Sequence, residues 1–120
     1  MPARIVHFDI GCRNKEESAS FYAGLFGWEI GAGANEFALA IKGAGLDGQI
    51  VSLGHEPHNY VMFYVEVDDI GAAAAAAEAG GGGKVVGPVP LPDGRRFAWL
   101  KDPEGTLVGI MDNKGDRFRT

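Results

Sequence analysis

The sequence predicts an α+β fold built from two tandem βαβββ modules. The first observation behind this prediction is a pattern that repeats 55 positions apart, so that Phe8 corresponds to Phe63 and Asn14 to Asp69. The second is that each copy passes from an alternating strand pattern to a helical pattern and then to short strands separated by glycine-rich turns. Because one such module cannot bury its apolar face alone, we expect the two halves to share one core.

Length and composition limit the protein to a few broad classes. The 120 residues predict one domain, residues 1–120, with modules at about 4–54 and 59–112. The chain is 46% hydrophobic and 22% charged and has no apolar run that could span a membrane, which predicts a soluble protein without a membrane partner. Its one cysteine, Cys12, excludes an intramolecular disulfide and fits the cytoplasm. The net charge of −5 argues against nucleic acid as a partner.

The first module opens with a strand over residues 4–11, in which His7 and Asp9 lie on the face that mixes polar and apolar groups. Asn14 has the properties of an N-cap for a helix over 15–26, and Gly27 is a plausible stop. The helix is expected to turn four side chains toward the sheet: Ala19, Tyr22, Ala23 and Phe26. Three short strands follow at about 28–30, 36–42 and 49–53.

The second module repeats this order after a polar connector at 55–59. Its first strand, 60–67, has one face of Val and Phe and another that carries Tyr60, Met62, Tyr64 and Glu66. Asp69 is expected to cap an alanine helix at 72–77, which four glycines at 80–83 end. A short strand at 85–86, a proline-rich loop at 88–94 and a hairpin of 95–101 with 106–111 complete the module. The residue types at 102–105 favour a type I turn in that hairpin.

Four motifs, in this order and spacing, carry a resemblance to a known family. They are Val6-His7-Phe8-Asp9-Ile10, the stretch from Phe21-Tyr22 to Leu25-Phe26-Gly27-Trp28, Val65-Glu66-Val67-Asp68-Asp69-Ile70, and Leu100-Lys101-Asp102-Pro103-Glu104-Gly105. The chain resembles, over residues 4 to 112, the vicinal oxygen chelate superfamily of glyoxalases, bleomycin-resistance proteins and dioxygenases. The resemblance implies a rolled mixed sheet with its helices on the outside, and it implies a homodimer. It does not imply one activity, because the superfamily supports several chemistries on one scaffold.

The resemblance also implies where a divalent ion would be held in the metal-dependent members. Those positions fall on His7, on Met62, on Gly109 and on either Gln49 or Val51. A thioether is a poor ligand for a hard divalent ion, and glycine has no side chain. We therefore expect neither a metal nor another cofactor in the familiar site.

Two functions of different class follow from these residues. The preferred one is a protein that binds a small molecule without a metal in the cavity between the modules, by apolar burial at Met62 and Tyr64 and by orientation through His7, Asp9 and Gln49. The alternative is a metal-dependent lyase or isomerase of the glyoxalase type with a rearranged ligand set that includes His7 and either Gln49 or His55. Whether the protein is an enzyme is left open.

Several other residues have both a functional and a structural interpretation. His7 could act as a general base or simply be an inherited imidazole that bonds to the backbone. His55, Glu56 and His58 resemble a zinc motif, but Pro57 blocks the helix that such a motif needs, so a surface connector is expected. Arg95 and Arg96 could hold an anion, although solvation is expected, and Trp28 and Trp99 are expected in the core or in a dimer contact.

Overall fold

The computed structural model describes residues 2–52 and 58–112 of the chain. Its ten elements follow the predicted order of two βαβββ modules, which confirms the α+β prediction. The predicted strand end at residue 53, most of the connector with His55 and Glu56, and the tail from Asn113 lie outside the described residues. By contacts the chain forms two compact units: a first unit, Val6–Met62, and a second unit, which among the described residues comprises 2–5 and 63–112.

The first unit contains a mixed four-stranded arrangement and one helix. Its elements are β1 (Ile5–Gly11), whose first residue belongs to the second unit, α1 (Lys15–Phe26), β2 (Glu29–Ala32), β3 (Ala38–Lys42) and β4 (Asp47–Val51). The strand order is β2-β3-β4-β1, in which β1 runs parallel to β4 and the other pairs are antiparallel. One face packs against α1 through a cluster that contains Ile10, Ile41, Ile50 and Ala19.

The second unit repeats this topology with different side chains. Its elements are β5 (Tyr60–Val67), whose first three residues belong to the first unit, α2 (Ile70–Ala79), β6 (Gly83–Pro90), β7 (Arg96–Lys101) and β8 (Leu107–Asp112). The strand order is β5-β8-β7-β6, and β5 runs parallel to β8. Ile70 on α2 packs against Ala98, Leu100 and Ile110, while alanines of the same helix lie close to the strands.

Helix α1 begins and ends as the sequence predicts, and α2 has the predicted cap, Asp69, but extends over Ile70–Ala79 and not only over 72–77. Asn14 Oδ1 accepts a hydrogen bond from Glu17 N at 3.0 Å, and Asp69 Oδ1 accepts one from Ala72 N at 3.0 Å. Each cap satisfies a backbone N–H that has no partner within the first turn. Gly27 ends α1 with a φ of 73°, a left-handed conformation that costs glycine little. The turn at 102–105 is also confirmed, because Gly105 N donates to the Asp102 carbonyl at 2.9 Å.

The proline-rich segment differs from the prediction. A strand was expected only at 85–86, followed by a loop, but β6 continues through Pro88 to Pro90. Proline cannot donate to a strand ladder, and β6 is the outermost strand of its unit, where only one side is paired. The pairing of β6 with β7 also shifts register twice, between Lys84 and Val86 and between Val86 and Val89. An edge position with irregular pairing therefore accommodates residues that predict a loop.

Two apolar surfaces are more exposed than the sequence pattern indicated. Phe26 was expected to face the sheet, yet it is 55% exposed, although its ring contacts Tyr22 and Trp28. On β5, Val61 is 75% and Phe63 is 46% exposed, whereas Met62 is buried. At this end of β5, the face that carries Met62 is therefore buried, and the face that carries Val61 and Phe63 is exposed.

An ion pair between the partly exposed Arg96 and a buried carboxylate links the start of β7 to the end of β8. Asp112 is fully buried, and its two carboxylate oxygens accept hydrogen bonds from Arg96 N at 2.8 Å and from Arg96 Nε at 3.0 Å. Arg95 instead pairs with the partly exposed Asp93 at 2.8 Å. The expectation of two merely solvated arginines is therefore wrong, because both have carboxylate partners within the unit.

We expect Arg96→Met to destabilise the protein by about 3 kcal/mol, since it removes the cation beside a buried carboxylate. Arg95→Met is the matched control, and it should cost about 1 kcal/mol or less because the carboxylate of Asp93 reaches solvent. The double variant Arg96→Met/Asp112→Leu should recover most of the loss. Urea denaturation measures all three, and equal losses in the two single variants would contradict the assignment.

Candidate functional site

The first unit presents its polar side chains on the sheet face opposite α1. Ile10 and Ile50, which are paired in register, both point into the cluster beneath the helix. Since successive strand residues alternate between faces, His7 and Asp9 on β1 project to the other side. Gln49, the register partner of Asp9 on β4, projects to that side too. Three of the five predicted ligand-binding residues therefore share one face.

A close histidine–aspartate pair lies on β1 within this face. His7 Nε2 lies 2.9 Å from Asp9 Oδ1, and the Asp9 side chain is only 5% exposed. When Nε2 carries the proton, the imidazole donates to the carboxylate. The His7 side chain is 17% exposed, so one part of the pair reaches the surface while the carboxylate does not. Such a pair can orient an imidazole and can accept hydrogen bonds from a bound molecule.

Two groups outside the five predicted ligand-binding residues belong to the same face. Asp47 on β4 is the register partner of His7, and the prediction missed it because it was assigned to the turn before the strand. Tyr60 lies with its ring against Gly11, where a Cβ atom would overlap the ring. The sequence signal for this contact was Gly11 at the end of β1, because a glycine within a strand often marks a place where another group lies close to the backbone.

The environment of Tyr60 keeps its phenol neutral. Burial, and then the negative charges of Asp9 and Cys12, raise the pKa of Tyr60 to about 12. A neutral phenol is a hydrogen-bond donor throughout the physiological range.

The other two predicted ligand-binding residues have different surroundings. Met62 is only 2% exposed and belongs to the first unit. Tyr64 belongs to the second unit, is 3% exposed, and accepts a hydrogen bond from Trp99 Nε1 at 2.8 Å through its hydroxyl. Trp99 is buried, so the core interpretation of this residue is confirmed.

The residues present do not fit the divalent ion that the resemblance implies. His7 and Gln49 offer suitable atoms, and the register favours Gln49 over Val51 because Gln49 lies opposite Asp9. Met62 offers only a thioether, however, and the place of a side chain at Gly109 is filled by the ring of Tyr64. Among residues 2–52 and 58–112, no three His, Cys, Asp or Glu side chains converge in a way that could hold a metal. His55, the remaining candidate, lies outside these ranges.

The raised pKa of Tyr60 makes stability depend on pH in alkaline solution. A tyrosine ionises near pH 10 in the unfolded chain and near 12 in the fold, so its contribution is complete below pH 10 and is lost as the pH rises to 12. After allowance for the partial exposure of Tyr60, we expect the free energy of unfolding to fall by about 1 kcal/mol over this interval. Urea denaturation at pH 8 and pH 11, midway through the interval, should show about half of this loss in the wild type and a smaller one in Tyr60→Phe. Equal losses in the two proteins would contradict it.

Comparison with known proteins places the chain in a family. Residues 4–110 match the model of the Glyoxalase/Bleomycin resistance protein/Dioxygenase superfamily, whereas no curated protein matches the sequence. A superfamily member from Vibrio splendidus 12B01 is similar in structure, with a TM-score of 0.64, 18% identity, and 92% of this chain and 98% of that chain covered.

Two further solved structures have the same fold and carry bound groups. A single-residue variant of Streptomyces coelicolor methylmalonyl-CoA epimerase, in complex with 2-nitronate-propionyl-CoA, aligns with a TM-score of 0.62 at 18% identity over 93% of this chain and 95% of its own. The Mn(II)-bound glyoxalase from Novosphingobium aromaticivorans aligns with a TM-score of 0.65 at 14% identity over 91% of this chain and 37% of its own. At these identities the likeness concerns the fold alone. With the family model matching nearly the whole chain, the protein belongs to the Glyoxalase/Bleomycin resistance protein/Dioxygenase superfamily.

Proposed function

We propose that this protein binds a small molecule, without a metal, through the face of the first unit that carries His7, Asp9 and Gln49. The observation that carries the proposal is the buried carboxylate of Asp9 beside the imidazole of His7, 2.9 Å away. Burying a charge costs free energy unless hydrogen bonds compensate for it. The buried carboxylate lies on a sheet face beside a more exposed imidazole. This arrangement suits the recognition of a polar ligand.

The chemistry of this face favours a ligand that is uncharged or cationic and carries N–H or O–H donors. Asp9 only accepts hydrogen bonds when ionised, and Gln49 can both accept and donate. Asp47, in register with His7, adds a second carboxylate, and the chain as a whole carries a charge of −5. An anionic ligand would meet repulsion from both carboxylates.

The metal-dependent alternative has one observation in its favour. His7 and Gln49, which offer an imidazole nitrogen and an amide oxygen, lie on the same face of the first unit. A lyase or isomerase that used them would need further ligands, and His55 was the candidate from the sequence. Elemental analysis of protein purified without chelators separates the two functions, because only the alternative requires stoichiometric metal.

The binding proposal is tested by a thermal-shift screen of metabolites and antibiotics, with and without divalent ions. A ligand of the native state raises the unfolding midpoint, and we expect the uncharged and cationic compounds to do so. For each compound that does, His7→Ala and Gln49→Ala should weaken binding about tenfold, which corresponds to about 1.4 kcal/mol for a lost polar contact. Glu78→Gln, which alters an exposed carboxylate on α2, is the control. The proposal fails if His7→Ala binds as tightly as the wild type or if the hits are all anions.

We further propose that the protein forms a homodimer. The apolar side chains of Val61 and Phe63 on β5 support this, since 75% and 46% of their surfaces are exposed in the single chain. Large exposed apolar side chains on neighbouring same-face positions favour burial against a partner, and closed symmetric dimers are the commonest such assembly.

The dimer should dissociate when Val61 is replaced by glutamate, because two symmetry-related charges would enter an apolar contact. We expect the dissociation constant to rise at least about tenfold, measured by analytical ultracentrifugation across a dilution series. Leu46→Glu, at a 40% exposed apolar residue in a turn, is the control and should leave the association unchanged. A monomeric wild type, or a Val61→Glu dimer of undiminished strength, would contradict the proposal.

The cellular location that we propose is the cytoplasm, with neither nucleic acid nor a membrane as a partner. Cys12, the one cysteine of the chain, is free and buried, as expected where thiols stay reduced. Within the described ranges, neither helix has the length and apolar character needed to cross a membrane.

A further inference from the structure

The two units have the same topology. In each unit, the two parallel strands carry a row of paired residues, and the two rows are equivalent. In the first unit, Asp9 on β1 lies opposite Gln49 on β4. In the second unit, Tyr64 on β5 lies opposite Gly109 on β8. Because Asp9 and Tyr64 are 55 positions apart, as the repeat requires, the two rows occupy the same place in the two halves. The polar pair Asp9 and Gln49 of the first unit thus corresponds to Tyr64 and Gly109 of the second unit.

The second row extends to a third strand. Gly109 is in register with Tyr64 on one side and with Trp99 of β7 on the other. The two aromatic side chains meet, and Trp99 Nε1 donates a hydrogen bond to the Tyr64 hydroxyl at 2.8 Å. The ring of Tyr64 lies over Gly109, so that a Cβ atom at this position would overlap the ring.

The surroundings hold this arrangement in place. Tyr64 and Trp99 are 3% and 8% exposed, so their hydrogen bond is shielded from water. The ring of Phe97 meets that of Tyr64 edge to face, with centroids 6.0 Å apart. A shielded hydrogen bond between two large apolar rings combines burial with a fixed orientation.

We infer that Tyr64, Gly109 and Trp99 form an aromatic bridge that occupies, in the second unit, the place of the polar row of Asp9 and Gln49 in the first. Glycine is required at 109 because the bridge passes directly over it. The bridge closes this row to any other side chain and to a ligand, so that the second unit supplies packing here. Tyr64, which the sequence placed among the ligand-binding residues, is then a structural residue.

The inference goes beyond the proposed function and does not rest on it, since it concerns the second unit without any ligand. Its test therefore uses the unliganded protein, and a failure of the ligand screen would leave the result intact. Conversely, the loss of the aromatic bridge would not affect the proposal for His7 and Gln49.

The first experiment is a double-mutant cycle on the thermal midpoint. Gly109→Ala should lower the midpoint by about 5 °C or more, because the methyl group forces the Tyr64 ring aside. In a Tyr64→Ala background the same change should have an effect of about 1 °C or less, since the ring is gone. Gly31→Ala is the control, because open space surrounds that strand glycine. Equal losses from Gly109→Ala in both backgrounds would overturn the inference.

A second measurement covers the case in which a variant unfolds. In a Trp28→Phe background the remaining indole is Trp99, whose fluorescence reports on the bridge directly. Acrylamide should quench it weakly when Tyr64 is present and about threefold more strongly in Tyr64→Leu, a change that keeps an apolar side chain but removes the ring and hydroxyl. Strong quenching in the Trp28→Phe protein itself would show that Trp99 is open to small molecules, and the inference would fail.

Discussion

The arrangement of this molecule depends on the parallel pairing of the first and last strand within each βαβββ module. That pairing sets Asp9 opposite Gln49 and Tyr64 opposite Gly109, and it decides which side chains share a face. Because a shift by one residue would turn every side chain to the other face, the register fixes the chemistry of the face as firmly as it fixes the fold. The apolar partners beneath α1 secure this register in the first unit.

One scaffold used twice has acquired two different kinds of stabilisation. In the first unit the row contains the buried carboxylate of Asp9, and the imidazole of His7, two residues earlier on the same strand, lies 2.9 Å from it. In the second unit the same row is filled by rings, and the buried carboxylate, Asp112, lies instead at the end of β8 with Arg96. The two units thus share one backbone topology but differ in where a buried carboxylate lies.

The sequence was sufficient for the fold and for part of the candidate site. Caps such as Asn14 and Asp69, and the turn at Gly105, were predictable because each uses local chemistry that one short segment contains. Asp47 and the bridge between Tyr64 and Trp99 were not, since each depends on which residues of distant strands come into register. The length of strand β6 was underestimated because prolines indicate a loop unless the strand is known to be outermost.

The irregular path of β6 has a consequence for solubility. An outermost strand presents its backbone to other molecules, and a regular one can recruit a strand from another chain and start a fibre. Pro88 and Pro90 remove two amide hydrogens from β6, and the two register shifts interrupt its line of donors and acceptors. A strand from another chain could not form a continuous hydrogen-bond ladder with this edge. Pro88 and Pro90, which predicted a loop in the sequence, therefore also protect the folded protein from aggregation.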